Sequence, residues 1–138
     1  MSIEQNKALV RAFVEEAQGK GNLAVIDQYL SPDFVDHSAL PGIPPTREGV
    51  RILFAALRAA FPDLQVNIRQ QVAEGQQVVT HKTFTATHRG EFLGVPATGR
   101  NVSFDVIDIL RVVDGRLTEH TMVFDQFGLM KQLGAIPS

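Results

Sequence analysis

Four histidines and 15 acidic residues hold most of the proton-transfer chemistry open to this 138-residue chain. The chain has no cysteine, which removes the disulfide framework, the thiolate metal site, the iron–sulfur cluster and the cysteine nucleophile together. Among the acids, Asp108 stands out. Side chains two positions apart share a strand face, so Asp108 falls in the middle of an apolar set formed by Phe104, Val106 and Leu110. If that face looks inward, burial disfavours the carboxylate and lifts its pKa toward the range useful for proton transfer. The alternative is an acid paired with a His or Arg at a sheet rim.

His120 shares a face with Met122 and Phe124, while Glu119, Thr121, Val123 and Asp125 take the other. Paired with Asp108 across a hairpin, it would form a base near neutral pH whose tautomer the carboxylate fixes. Its alternative is a core histidine bonded to a backbone carbonyl. Counting back from Asp114-Gly115 sets Val113 opposite Arg116 and Asp108 near Thr121, so a direct pair requires a one-residue irregularity. Asp36 and His37 are adjacent, point to opposite sides of an extended segment, and precede the loop 38–45. Only one of them can enter a pocket, and Asp36 could instead cap local backbone.

His81 and His88 lie an odd number of positions apart in one strand, face opposite sides and cannot jointly hold a metal. No HxH, HxxxH or HExxH spacing exists, and the glycines Gly90, Gly94 and Gly99 form no phosphate loop. Neither a metal nor a nucleotide cofactor is expected. The nine phenylalanines are mostly core by their spacing, with some left to line a pocket for a flat apolar ligand.

The elements that must position these groups read as helices first and strands second. Ser2 is a candidate cap for a helix carrying Ile3, Leu9, Val10, Phe13, Val14 and Ala17, stopped by Gly19 and Gly21. Asn22 opens a second helix through Leu23, Ile26 and Leu30, ended at Ser31-Pro32. Thr46 begins a third, with Val50, Leu53, Phe54, Leu57 and Phe61 as its stripe, closed by Pro62. Beyond Pro62 the period becomes two. Strands are predicted near 64–68, over 78–88, 102–113 and 117–127, with turns at Glu74-Gly75 and Asp114-Gly115 and a last helical turn over 129–133. The order predicts an α+β fold, residues 1–138 forming one domain with the helices laid on a curved antiparallel sheet. The net charge of -2 argues against a nucleic-acid partner. Glu4, Glu15 and Glu16 interrupt the N-terminal apolar pattern, and no run approaches about 18 apolar residues, so a cytoplasmic location without a membrane partner is expected. Apolar residues on both strand faces, Ile107 and Ile109 against Val106 and Leu110, call for a cover on each face and predict a homodimer.

Four segments carry a further pattern: 6–38, 47–66, GEFLGVPATGR with the strand and DGRLTEH that follow it, and FGLMKQLG. Together they resemble the SnoaL-like polyketide cyclases, often labelled ester cyclases, of the NTF2-like superfamily. The resemblance implies a cone-shaped α+β barrel, usually dimeric. In that family an acid two positions after the His of the last long strand works as general acid and base in an intramolecular aldol closure. Here that position is Met122, which cannot transfer a proton. The expected activity is therefore cofactor-free acid/base chemistry, of cyclase, isomerase or dehydratase type, on a small apolar carbonyl-bearing or cyclic compound. Asp108, His120 and Asp36 are the candidate catalytic groups, and His37, Phe54, Phe104, Met122 and Phe124 the candidate ligand contacts. A non-catalytic small-molecule binding module is the alternative, and a dimeric scaffold for partner proteins a third class.

Overall fold

Ser2 starts the first helix as its residue type predicts: its Oγ accepts the Gln5 N–H at 3.1 Å, and Gln5 Oε1 accepts the Ser2 N–H at 2.8 Å. The computed structural model describes residues 2–136. Helix α1 (Ile3–Phe13) runs into a π-helical turn, Val14–Gly19, in which the Lys20 N–H reaches back five residues to Glu15 O at 3.0 Å. A 3₁₀ turn (Leu23–Val25) and the single-turn α2 (Ile26–Tyr29) follow. The second helix ends before Leu30, earlier than its apolar stripe suggests, because strand β1 (Leu30–Asp36) already begins there. β1 lies at a sheet edge, where Pro32 is tolerated.

Thr46 caps α3 (Arg47–Ala60) by accepting the Gly49 N–H at 3.3 Å. Only glycine fits at position 49, since a Cβ there would stand 1.7 Å from Pro44 O. Val50 and Leu57 of the expected α3 stripe are buried, with Leu53 and Phe54 partly so. Strands β2 (Gln65–Glu74), β3 (Gln77–Thr87), β4 (Asn101–Val113) and β5 (Arg116–Phe124) form an antiparallel meander. Asp114 and Gly115, at φ 50° and 76°, make the tight turn between β4 and β5. β5 stops at Phe124, short of the expected 127, because Asp125 caps α4 (Gln126–Gln132) by accepting the Gly128 N–H at 2.9 Å.

The sheet order is β1-β5-β4-β3-β2, with β1 parallel to β5. The sheet is thus mixed, and the wholly antiparallel expectation is corrected by the segment that reads as merely extended in sequence. The second departure is in the β4–β5 register. Val112 pairs with Leu117 but Arg111 pairs with Glu119, so Thr118 is an extra residue, a β-bulge, and Asp108 pairs with Met122 rather than Thr121.

Two hydrophobic clusters form under the helices. One gathers Val10, Phe13, Ile26, Leu30, Phe34 and Leu117 toward α1, and the other gathers Leu57, Phe61, Phe84, Phe104, Leu129 and Leu133 toward α4. Phe54 touches both without being fully enclosed, whereas Phe61 is 0% exposed and packs edge-on against Phe92. Phe61→Ala should therefore cost about 3–5 kcal/mol, the range for a fully packed aromatic. Phe54→Ala should cost clearly less, since its ring borders space that is already open. Urea unfolding of both variants checks this, and equal losses would show that Phe54 is packed as core.

Candidate functional site

The alternation along β4 is strict: Val102, Phe104, Val106, Asp108, Leu110 and Val112 are all buried. Asp108 is 2% exposed in the middle of this apolar row. The bulge at Thr118 turns His120, Met122 and Phe124 of β5 toward the same side, because a one-residue slip exchanges the faces of a strand. Asp36 arrives from β1, which pairs with β5 at His120. These residues line one cavity between the sheet and α3. Phe54, Phe104, Met122 and Phe124 all lie on its wall.

At the polar end, His120 stands between two carboxylates. Its Nδ1 is 3.1 Å from Asp36 Oδ1, and its Nε2 is 3.9 Å from Asp108 Oδ2, a charge contact too long for a hydrogen bond. Asp36 is held by Ser38, whose N–H and hydroxyl both donate to Oδ1 at 3.0 Å, and Ser38 Oγ accepts the Met122 N–H at 2.9 Å. Local capping and site placement, alternatives in the sequence, are here the same arrangement.

His37 does not join this group. Asp36 takes the inward side, so the neighbouring residue turns outward, and His37 Nε2 meets Glu119 Oε1 at 2.9 Å on the opposite face. The expectation that His37 contacts ligand is corrected by the same alternation that raised it. His81 also faces outward, 2.9 Å from Asp105 Oδ2, and His88 is buried beside Phe61 with Thr98 at its Nδ1. Among the described residues no cluster of three His, Asp or Glu side chains is arranged to hold a metal ion.

The residue that sequence reasoning missed is Lys82. It is 1% exposed, and its Nζ donates to Asp108 Oδ2 at 2.6 Å and to Gln18 Oε1 at 2.8 Å. The sequence does carry a signal for it: Val78, Thr80, Lys82, Phe84 and Ala86 share a strand face, so the same rule that singles out Asp108 places a lysine on an interior row. Gln18 has no such signal, because it projects from the π-helical turn.

Lys82 reverses the expected direction of the Asp108 shift. Burial pushes that carboxyl up, but the Lys82 ammonium and His120 outweigh burial and hold it below the usual carboxylate range. Burial raises Asp36 too, and there His120 and the Ser38 donors prevail and lower it. For His120, burial disfavours the cation, yet the carboxylates of Asp108 and Asp36 lift its pKa above the ordinary 6.5. The neighbouring charges thus favour the carboxylates of Asp36 and Asp108 and the cationic form of His120. The site sets the His120 ring, with Nε2 3.9 Å from Asp108 Oδ2, beside a carboxylate whose other oxygen, Oδ1, is buried and lacks a hydrogen-bond partner among the described residues. Such a pair can protonate or polarise one ligand atom while accepting a proton from another.

Residues 8–133 match the family model of SnoaL-like polyketide cyclases, and the chain belongs to that family. It is similar to an aklanonic acid methyl ester cyclase of Streptomyces peucetius, 29% identical over 130 residues that make up 91% of this chain and 88% of that one. A nogalonic acid methyl ester cyclase of Streptomyces nogalater is 28% identical over 114 residues, 79% of this chain and 83% of its own. Among solved structures, TsrD from Streptomyces laurentii superposes with a TM-score of 0.89 at 29% identity, covering 99% of both chains. AclR from Streptomyces galilaeus does so with 0.88 at 36% identity, covering 99% of this chain and 85% of that one. The fold is accordingly the α+β cone that the sequence resemblance implied.

The sign of each shift sets the pH dependence. His120, raised in the folded state, contributes stability that is fully present below about pH 6.5 and is lost as pH climbs through its elevated folded value. Asp36 and Asp108, depressed in the folded state, contribute stability present above about pH 4 that is lost as pH falls through their lowered values. Imidazole ¹³Cε1 shifts should place the His120 midpoint above 6.5, and His120→Gln should flatten the alkaline decline in stability. A midpoint below 6.5 would mean that burial, not the carboxylates, governs the ring.

Proposed function

We propose that the protein is a cofactor-free acid/base enzyme that closes a ring within a small, largely apolar compound carrying two carbonyl groups. The observation that carries this reading is the pairing of Asp108 with Met122, beside His120 in one cavity. The family's acid is missing from position 122, but a carboxyl group stands at the same level on the adjacent strand, where directly paired Cβ atoms lie about 5 Å apart. In the proposed step His120 Nε2–H holds one carbonyl oxygen, and Asp108 Oδ1 takes the proton from the carbon beside it. The electron pair freed from that C–H bond forms the enolate, whose carbon attacks the second carbonyl. The resulting alkoxide takes the proton back from Asp108, so substrate and product are isomers and the enzyme regains its starting protonation. Asp36 orients the ring of His120 throughout.

Aklanonic and nogalonic acid methyl esters, for which the similar cyclases are named, are the first compounds to assay. Asp108→Asn should lower kcat by about 10² to 10⁴ with a smaller change in KM. Undiminished turnover in that variant would remove Asp108 from the chemistry. A second reading, favoured by Met122, is a binding module that keeps the cavity and has lost its proton-transfer step. Saturable binding of either ester with no turnover by the unaltered protein would select it.

A homodimer and a cytoplasmic location belong to the same proposal. The dimer is supported by the outer sheet face, where Ile107 is 44% and Val123 68% exposed and the two are paired across β4 and β5, with Val35 and Ile109 nearby. Among the described residues no helix is long and apolar enough to cross a membrane. Light scattering at micromolar concentration should give twice the 15.2 kDa chain mass, and Val123→Lys should shift the protein toward the monomer. A monomer in the unaltered protein would overturn the pairing.

A further inference from the structure

The Lys82–Asp108 pair is among the most deeply buried features of the molecule, at 1% and 2% exposure. Such a pair is a poor device for stability, since desolvating two ions offsets most of their attraction and an apolar pair of similar volume often does as well or better. Its geometry suits a different purpose. Lys82 Nζ is fixed by two acceptors, Gln18 Oε1 and Asp108 Oδ2, and rests 5.5 Å from the Phe84 ring centroid. Asp108 Oδ2 is also the oxygen nearest His120, so both cations address the same carboxylate oxygen. Oδ1 is left buried without a partner among the described residues, a condition that costs free energy in a fold and calls for an explanation.

The support for Lys82 extends to the helical layer. Gln18 projects from the π-helical turn, a feature that recurs at functional sites. That turn is gripped from α3 by Arg58, whose guanidinium donates to the carbonyls of Gln18 and Gly19. A run of contacts thus leads from α3 through the π turn and Lys82 to a single carboxylate.

We propose that Lys82 is the positioning residue of the site: clamped by Gln18, it engages Asp108 Oδ2 and so leaves Oδ1 as the unpaired oxygen, the one that receives the substrate's proton. The inference rests on the acid/base reading above and adds to it the group that orients and electrostatically sets its base. The charged groups facing Asp108 are Lys82 from β3, His120 from β5 and, beyond His120, Asp36 from β1. From α3 the cavity receives only the apolar Val50, Leu53, Phe54 and Leu57. Two acids and two cations balance, and removing Lys82 leaves the site one positive charge short.

The experiment is a titration of the whole chain, read by ¹³C carboxyl and imidazole shifts, in the unaltered protein, Lys82→Met, Lys82→Arg and Gln18→Leu. Loss of a neighbouring cation raises the pKa of every group around it, so both Asp108 and His120 should titrate higher in Lys82→Met, by about one unit or more. Lys82→Arg should restore the original values, and Gln18→Leu, which keeps the charge but frees it, should give a smaller upward shift. With a turnover assay, the acid limb of the kcat profile should move up with Asp108 in Lys82→Met and return in Lys82→Arg. Unmoved midpoints in Lys82→Met would overturn the proposal. So would midpoints that move while the kcat profile stays in place, since the pair would then be structural only. Should Lys82→Met fail to fold, unmoved midpoints and profile in Gln18→Leu would overturn it. The titration needs no substrate, so shifted midpoints in a protein without turnover would count against the ring-closing reading and leave the electrostatic link between Lys82 and Asp108 standing.

Discussion

Because side chains alternate along a strand, the bulge at Thr118 decides which half of β5 meets the cavity. Without it, Thr121 would stand beside Asp108 and His120 would face outward with Glu119's present company. With it, His120, Met122 and Phe124 look inward beside Leu110, Asp108 and Val106. The inward strand face then sets the others: β1 pairs in parallel with β5 at His120 and thereby brings Asp36 to Nδ1. A single extra residue near the β4–β5 turn thus assembles groups separated by more than eighty positions in the chain.

The electrostatics follow from that assembly. Four ionisable groups at one end of an otherwise apolar cavity are tolerable only because each cation lies against a carboxylate and the charges sum to zero. In Asp36, Asp108 and His120 burial disfavours the charged form, and the neighbouring charges win. A carboxylate held so firmly as an anion is a weak base. The proposed chemistry therefore depends on the imidazolium, which draws electron density onto the carbonyl oxygen and makes the adjacent C–H acidic enough for a weak base to take.

Much of this is legible in the sequence. Ser2 and Thr46 announce their helices through local capping, which is decided within four residues. Period-two alternation by itself places Asp108 on an interior face, and Asp114-Gly115 fixes the turn from which the register is counted. The bulge is not legible, because Thr118 differs in nothing from an ordinary strand residue and the extra position is settled by which β5 face must be buried. The parallel edge strand is hidden for a related reason: β1 is short, contains Pro32, and is defined by a partner far along the chain. The π turn escapes because five-residue back-bonds leave the helical spacing of Val10, Phe13, Val14 and Ala17 intact. Lys82 is overlooked although the rule applied to Asp108 covers it equally.

The position of the acid ties these departures together. The family resemblance calls for a carboxyl at 122, on a strand whose inward neighbours include His120, yet this chain carries methionine there and Asp108 across the strand pair. Moved one strand inward from the sheet edge, the carboxyl is flanked by Thr80 of β3 and Met122 of β5 and is 2% exposed. At that depth an anion needs a counterion, and β3 provides one in Lys82, a diagonal step away. A buried lysine needs acceptors of its own beyond one carboxylate oxygen, and Gln18 supplies the second by reaching down from a turn wound wide enough to let it. Asp108, Lys82, Gln18 and the π turn therefore behave as one linked feature. Altering any of them alone leaves a charged or polar group buried without its partner, whereas the depth of the acid in the cavity requires them all.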